Sequence, residues 1–396
     1  MAVAFEGARL VDVRGEVALG RLVVDSGRVA DPSSAVVSTF DARGLTILPG
    51  FVDVHTHGGG GFALQTRDSD RIRRYAAWAP STGCTAFLAA VVGVSDGLPE
   101  AELAAATTAA AAPGPSAELL GVHLEGPFLN PVRRGAHPAA WLRTPSEVDV
   151  ERLLAASRGW LRIVTLAPEL PGASAAIRRF IAAGVTVSVG HTDASYEQTR
   201  AAIALGVRQV THCFNAMSPL LHRAPGPLGA VLEEPTVLGE LIADGVHVHP
   251  AAMRALVRLL GSERVVVVTD AQSGAGLDDP VMSFGGQEAR VVGGVARLLD
   301  GTIAGSVLTM DRALRNLVDM LELDLPTTSG MLSWNPARAA GVSDRKGLLA
   351  PGFDADLALI DDNLRLVATY CRGRLAFARP DWLPRLRTAG FDGADG

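Results

Sequence analysis

Six residues of this 396-residue chain could do metal or proton chemistry: His55, His57, Glu125, His191, His212 and Asp270. Each stands at the end of a short apolar run. In an extended strand alternate residues share a face, so the imidazoles of His55-Thr56-His57 point the same way. Imidazole and carboxylate donors suit Zn²⁺ or another divalent ion such as Fe²⁺, Mn²⁺ or Co²⁺. Cys84, Cys213 and Cys371 are too scattered for a thiolate zinc site. A divalent ion brings the pKa of bound water from about 15.7 to roughly 7 in favourable zinc sites, and it can polarise a carbonyl. A neighbouring carboxylate can then pass the water's proton to a leaving amine. Asp270 is the candidate for that shuttle. Glu125 is placed as a ligand, and as a bridge if two ions bind. Such a site would hydrolyse an amide or a related bond. Taken singly, a His or Glu at a strand end is more often a loop hydrogen-bonder, and Asp270 could cap a turn. The reading rests on their convergence.

Two rival chemistries are set aside. A Ser/His/Asp nucleophile would need a GxSxG elbow, and none is recognised. A Schiff-base or carbamylated lysine would have to be Lys346, the only lysine, in the turn-like run Asp344-Arg345-Lys346-Gly347.

The positioning elements follow from hydrophobic periodicity. Apolar runs at 51–57, 85–92, 119–125, 162–167, 185–191, 207–212, 238–244 and 265–270 alternate with helical patterns, among them 70–81, 174–183, 196–205, 250–260 and 310–323. Eight such repeats predict a TIM-like (β/α)₈ barrel, whose active sites lie at the C-terminal ends of the strands. A doubly wound sheet is the alternative, but no GxGxxG opens the first helix. Short β-runs at 8–13, 21–25 and 45–48, and again at 355–360, 365–370 and 374–377, predict a small β-sandwich domain formed by both chain ends. The expected division is 1–50 with 345–380 for the small domain, 51–344 for the barrel, and a C-terminal tail at 381–396 with frayed last residues. The Ala-rich run 101–112 reads as a surface helix. Trp334 reads as core in a helix closing the barrel.

Composition narrows the class. The chain is 48% hydrophobic and 20% charged, which gives ample material for a core and excludes a disordered or collagen-like protein. A net charge of −6 argues against nucleic-acid and anionic-membrane partners. No run is long and apolar enough to span a bilayer, and the first residues lack a basic-then-apolar leader pattern. Three scattered cysteines suit a reducing cytosol, so a cytoplasmic location is expected.

The motifs also carry a resemblance. They run from Pro49-Gly50-Phe51-Val52-Asp53-Val54-His55-Thr56-His57 to Pro351-Gly352-Phe353-Asp354-Ala355-Asp356. Between these lie His123-Leu124-Glu125-Gly126-Pro127, Gly135-Ala136-His137, Gly190-His191-Thr192-Asp193-Ala194, Thr211-His212-Cys213-Phe214-Asn215-Ala216-Met217, Asp244-Gly245-Val246-His247, Thr269-Asp270-Ala271 and Ala304-Gly305-Ser306. In this order they resemble the amidohydrolase superfamily and, within it, the N-acetylglucosamine-6-phosphate deacetylases. The resemblance implies hydrolysis of the acetamide of a phosphorylated amino sugar, in amino-sugar catabolism or recycling. It implies that Glu125, His191 and His212 hold one metal, and that His55 and His57 could hold a second with Glu125 and Asp270. Asp270 would be the acid/base. Ala136 and His137 would line the sugar pocket, and Asn215 and Ala216 would meet the phosphate. His247 would contact substrate near the metal. Arg223 would bind phosphate from a neighbouring subunit of a homodimer. Ile303, Ala304 and Gly305 would close over the sugar.

His123 could support the ligands, Cys213 should pack on the opposite face, and His222 and His249 read as structural. The chain departs from the family pattern at Ala224, at 272–276 and over 277–295. Other readings keep the site but change its use: another N-acyl amino sugar, a cyclic amide, or a non-catalytic sugar-phosphate sensor.

Overall fold

The computed structural model describes residues 2–110, 116–278, 281–284, 287–292 and 294–388. Eight parallel strands form its central sheet: Phe51–Thr56, Cys84–Val92, Glu118–Glu125, Leu161–Leu166, Thr186–Val189, Gln209–Val210, Leu238–Ile242 and Val265–Val268. They pair in sequence order, which a doubly wound sheet would not do. The barrel closes between its first and last strands. Asp270 N–H donates to His55 O and His57 N–H to Ala271 O, both at 2.8 Å. Below them the Thr269 hydroxyl donates to Asp53 Oδ2 at 2.6 Å. Nearly every strand residue is buried, and strands buried on both faces read as continuous apolar runs. That is why the eight runs were visible in the sequence.

A helix follows each strand: Ser69–Trp78, Glu100–Ala110, Glu147–Ser157, Ala173–Ala182, Tyr196–Ala204, Gly226–Glu233, Pro250–Leu260 and Met310–Leu321. Their starts are encoded locally. Ser195 and Gln198 form a reciprocal capping box, and Ser146 caps through the Asp149 N–H. The Ala-rich helix buries Leu103, Ala105, Ala106 and Ala109 against the barrel.

The chain ends supply a second sheet. Thr46–Pro49 pairs antiparallel with Leu357–Ile360, which joins the two ends. The strand Val3–Asp12 pairs Ser38–Asp41 through its first half and Thr46–Pro49 through its second, and its antiparallel pairing with Gly15–Asp25 shifts register between Glu6 and Leu10. The ladder therefore bends over one core, in which Phe5 packs edge-on against Phe40 and Tyr370.

One expectation needs correction, and two features were not foreseen. Within the tail, the helix Leu383–Thr388 buries Leu386 in the small-sheet core; the last residues, 389–396, lie outside those described. Trp334 is only half-buried, in the turn Gly330–Trp334 that leads into the helix Asn335–Ala339. A three-stranded antiparallel sheet, Val281–Phe284, Gln287–Val292 and Val295–Leu298, sits between the eighth strand and helix and was not foreseen. The signal was present: Gly-Gly pairs at 285–286 and 293–294 separate the three β-runs, and such pairs favour hairpins.

Lys346 does not line the cavity over the candidate ligands. It is buried between Asp356, Asp354 and Glu118, at 2.5, 3.0 and 3.0 Å. It thus ties the base of the third barrel strand to the small sheet.

Candidate active site

The strands stop earlier than their apolar runs suggest. Val189, Val210 and Val268 end the fifth, sixth and eighth strands, and His191, His212 and Asp270 each follow two residues later. Their φ angles are 47°, 28° and 48°. A left-handed backbone cannot continue a parallel ladder, so it both ends the strand and re-aims the side chain. Such strain in non-glycine residues clusters at functional sites.

The re-aimed side chains meet Glu125, the last residue of the third strand. Glu125 Oε1 lies 3.0 Å from His191 Nε2 and 3.2 Å from His212 Nε2, and the two ring nitrogens are 3.0 Å apart. With zinc–ligand distances near 2.0–2.2 Å, a tetrahedral site has ligand–ligand edges of about 3.3 Å. The triad therefore has the dimensions of one face of such a site. A second group lies beside it, made of His55, His57 and Asp270. His57 Nε2 is 3.1 Å from Asp270 Oδ1 and 3.4 Å from Glu125 Oε2. His55 Nε2 is 3.5 Å from Glu125 and 3.8 Å from Asp270. Glu125 stands between the two groups.

Hydrogen-bond accounting shows that a cation fits. His191 Nδ1 lies 2.9 Å from the Arg133 carbonyl, which can only accept, so Nδ1 carries the proton. Burial pushes the His191 imidazole down to about 4, so the ring is neutral near pH 7. Its Nε2 lone pair then faces a carboxylate oxygen, a contact that calls for a cation. His55 differs: burial lowers its imidazole, but the charges of Glu240 and Glu125 outweigh this and raise it well above the usual value, so the ring is protonated. Its Nδ1 is held by Glu240 Oε2 at 2.9 Å, while its buried Nε2 has no hydrogen-bond partner and faces two carboxylates. Burial raises the Glu125 carboxyl, but the charge of His55 and the hydrogen bond from His137 outweigh it and hold the acid well below the usual range. Burial lowers His57, yet its bonds to Asp270 and Glu125 more than offset this and take it up to about 9.

A cavity of about 310 Å³ opens over these groups. Its lining includes His57, Glu125, His191, His212 and Asp270, and also Ala136, His137, Asn215, Ala216, His247, Ile303 and Gly305. His137 Nε2 reaches Glu125 Oε2 at 3.3 Å. His247 is held by Asp244, with Nδ1 at 2.6 Å from Oδ2. Three expected residues lie elsewhere. His55 is fully buried beneath the cavity. Ala304 turns into an apolar cluster with Ala136, Ala289, Ala296 and Leu298. Arg223 is on an exposed loop outside the cavity of its own chain. His123 bonds the Val54 carbonyl and the Thr165 hydroxyl, Cys213 packs in the core, and His249 caps a helix. The GxSxG pattern does occur, at Gly93-Val94-Ser95-Asp96-Gly97, but Ser95 is exposed on a turn and does not line the cavity.

The sequence reading missed Glu240. It is fully buried, and it accepts from His55 Nδ1, the His212 N–H at 3.1 Å and Gln209 Nε2 at 2.6 Å. A glutamate inside the apolar run 238–244 was itself a signal, because a buried carboxylate must be partnered. Glu240→Gln is expected to weaken metal binding about 10- to 100-fold, since one amide N–H₂ would face a donor and His55 would lose its fixed tautomer. Metal retained during dialysis against a graded chelator checks this, and unchanged retention would remove Glu240 from the support of the site.

The amidohydrolase family profile matches residues 46–377, which takes in the whole barrel. The chain belongs to the amidohydrolase family. This amidohydrolase is 38% identical over 335 residues to N-acetylglucosamine-6-phosphate deacetylase of Bacillus subtilis, with 84% of each chain covered. It is 35% identical to N-acetylgalactosamine-6-phosphate deacetylase of Escherichia coli, over 95% of this chain and all 100% of the relative. Among solved structures it is similar to a variant of N-acetyl-D-glucosamine-6-phosphate deacetylase from Mycobacterium smegmatis in complex with N-acetyl-D-glucosamine-6-phosphate. The TM-score is 0.88 at 36% identity, covering 96% of this chain and 99% of that one.

Proposed function

We propose that this amidohydrolase removes the acetyl group from N-acetyl-D-glucosamine 6-phosphate, giving D-glucosamine 6-phosphate and acetate. The observation that carries the reading is Asp270 beside the Glu125–His191–His212 group on the cavity floor. The names of the Bacillus and Mycobacterium relatives support the substrate.

Glu125, His191 and His212 would hold one divalent ion, and His55 and His57, with Glu125 and Asp270, a second. Zinc suits these nitrogen and oxygen donors best, with Fe²⁺, Mn²⁺ or Co²⁺ as alternatives. A bound ion supplies an activated water and draws charge from the acyl oxygen. Asp270 accepts one proton from the attacking water and delivers it to the departing amine, so the amide and one water become amine and acetic acid, which ionise to ammonium and acetate. Ala136, His137 and His247 hold the sugar, with Ile303, Ala304 and Gly305 as the loop over it. Asn215 and Ala216 meet the phosphate.

Arg223 would meet the phosphate of a second copy, which makes the working form a homodimer; a monomer in analytical ultracentrifugation would remove that role. We take 51–344 as the catalytic unit, 1–50 with 345–380 as the small domain, and 381–396 as the tail. The three cysteines are free and buried, which suits a cytoplasmic setting. No helix among the described residues is long and apolar enough to cross a membrane.

The Escherichia coli relative favours a second reading, in which the C4 epimer is the substrate. The deciding assay measures acetate release by zinc-loaded protein from both 6-phosphates, from unphosphorylated N-acetylglucosamine, and after chelator treatment. Chelator-sensitive release from a phosphosugar alone is expected. No release by metal-loaded protein would move the substrate elsewhere.

A further inference from the structure

Gln272 follows Asp270 by two residues and is assigned no role by the reaction above. It is only 6% exposed, yet it lines the cavity together with Asp270, His247, Ile303 and Gly305. Its backbone is fixed: the N–H donates to Ser306 O and the carbonyl accepts from Ala275 N–H, both at 2.9 Å. Its side chain lies directly beneath the Gly305 backbone. Gly305 has φ +73°, and a Cβ there would lie 2.7 Å from Gln272 Nε2 and 3.0 Å from the Asp270 carbonyl oxygen. The loop therefore passes close over the amide, and only glycine permits it.

That amide is incomplete. Gln272 Nε2 is buried with no hydrogen-bond partner. A buried amide without a partner is costly in a folded protein, and one on the wall of a ligand cavity is completed by the ligand. The choice of ligand group follows from the wall. Thr302, Ile303 and Gly305 carry no charge, so a phosphate has no counter-charge among them. The acyl carbonyl belongs at the histidines and carboxylates of the floor. The unpartnered Nε2 is a donor, and a sugar hydroxyl can accept from it without bringing negative charge beside the Asp270 carboxylate.

We propose that Gln272 is a specificity-determining residue that hydrogen-bonds a ring hydroxyl of the amino sugar and thereby sets which epimer is processed. This rests on the phosphosugar reading above. It also gives a physical reason for the chain to discriminate between the two sugars named for its relatives, which differ at C4.

The test is a cycle between the side chain and the substrate. Gln272→Met keeps similar volume and cannot hydrogen-bond. Its kcat/KM is measured on N-acetylglucosamine 6-phosphate, its C4 epimer, and the 3-deoxy and 4-deoxy analogues, with metal content determined alongside. For the sugar whose hydroxyl is contacted, kcat/KM should fall about tenfold, while the analogue lacking that hydroxyl is processed equally by both proteins. Gln272→Leu should repeat the pattern and serves if the methionine variant does not fold. An equal fold-loss on every sugar, or no loss at all, overturns the proposal and leaves the deacetylase reading intact. A wild-type protein that hydrolyses none of the sugars overturns both.

Discussion

Asp270→Asn is expected to lower kcat by about three orders of magnitude while the protein still binds metal. Asparagine preserves the shape and the hydrogen-bonding reach of the side chain but cannot accept a proton. The native carboxylate is set up to accept one. Burial raises its pKa, but the hydrogen bond from His57 and the charges of His55 and His57 outweigh burial and hold it well below the usual carboxylate range. It is therefore ionised at neutral pH. Its position is fixed by the barrel seam, through its own N–H on His55 O and its carbonyl, which accepts from the Ser306 N–H at 2.8 Å. The Glu125–His191–His212 group does not contain it, so the ion held there should be retained even if the one beside His55 and His57 is lost. Turnover within a few-fold of wild type would remove Asp270 as the proton shuttle. Loss of metal together with turnover would make it chiefly a ligand.

The second large effect is expected at Glu125. Four imidazoles besides that of His55 lie against its two oxygens, those of His191, His212, His57 and His137, within 3.4 Å. Glu125→Gln replaces the only carboxylate of the Glu125–His191–His212 group with a neutral amide whose N–H₂ would face ring nitrogens. Metal content should fall to a small fraction of wild type, and turnover to background. Removing one side of a buried charge pair also costs about 3–5 kcal/mol, so the melting temperature should fall. Metal analysis after purification separates the two effects: full metal retention by a folded variant would contradict the assignment.

These two residues show what could be read from sequence and what could not. Glu125 was legible because it ends an apolar run that is one strand, and strand periodicity states where its neighbours point. The barrel was legible for the same reason, since parallel strands buried on both faces leave unbroken apolar runs. Asp270, His191 and His212 were legible by type but not by geometry. Their aim depends on a left-handed backbone that only tertiary contacts can impose on histidine and aspartate. Glu240 and Lys346 were legible as charges but not as contacts, for a different reason. Each is a charged residue whose partners are distant in sequence, and one chain read alone shows the charge without its partners. Glu118, which meets Lys346, lies 228 positions before it. The three-stranded insertion was legible and missed, because its Gly-Gly turns fall in a stretch set aside as a poor match to the family pattern.

The left-handed residues also set limits on engineering this protein. Eleven non-glycine residues among those described have positive φ, and seven of them fall into two kinds. His191, His212, Phe214, Ala216 and Asp270 surround the cavity floor or follow its ligands in sequence. Arg158 and Glu322 instead sit at helix C-termini, where glycine is the usual occupant. A left-handed L-residue costs roughly 1–2 kcal/mol. At Arg158 and Glu322 glycine substitution can recover part of that without touching the cavity. At the three ligand positions it cannot, because the residue that relieves the backbone is not the one that can bind. Thermal robustness in this scaffold must therefore be sought at the helix ends and loops, while the mouth of the barrel keeps its strain as a condition of activity.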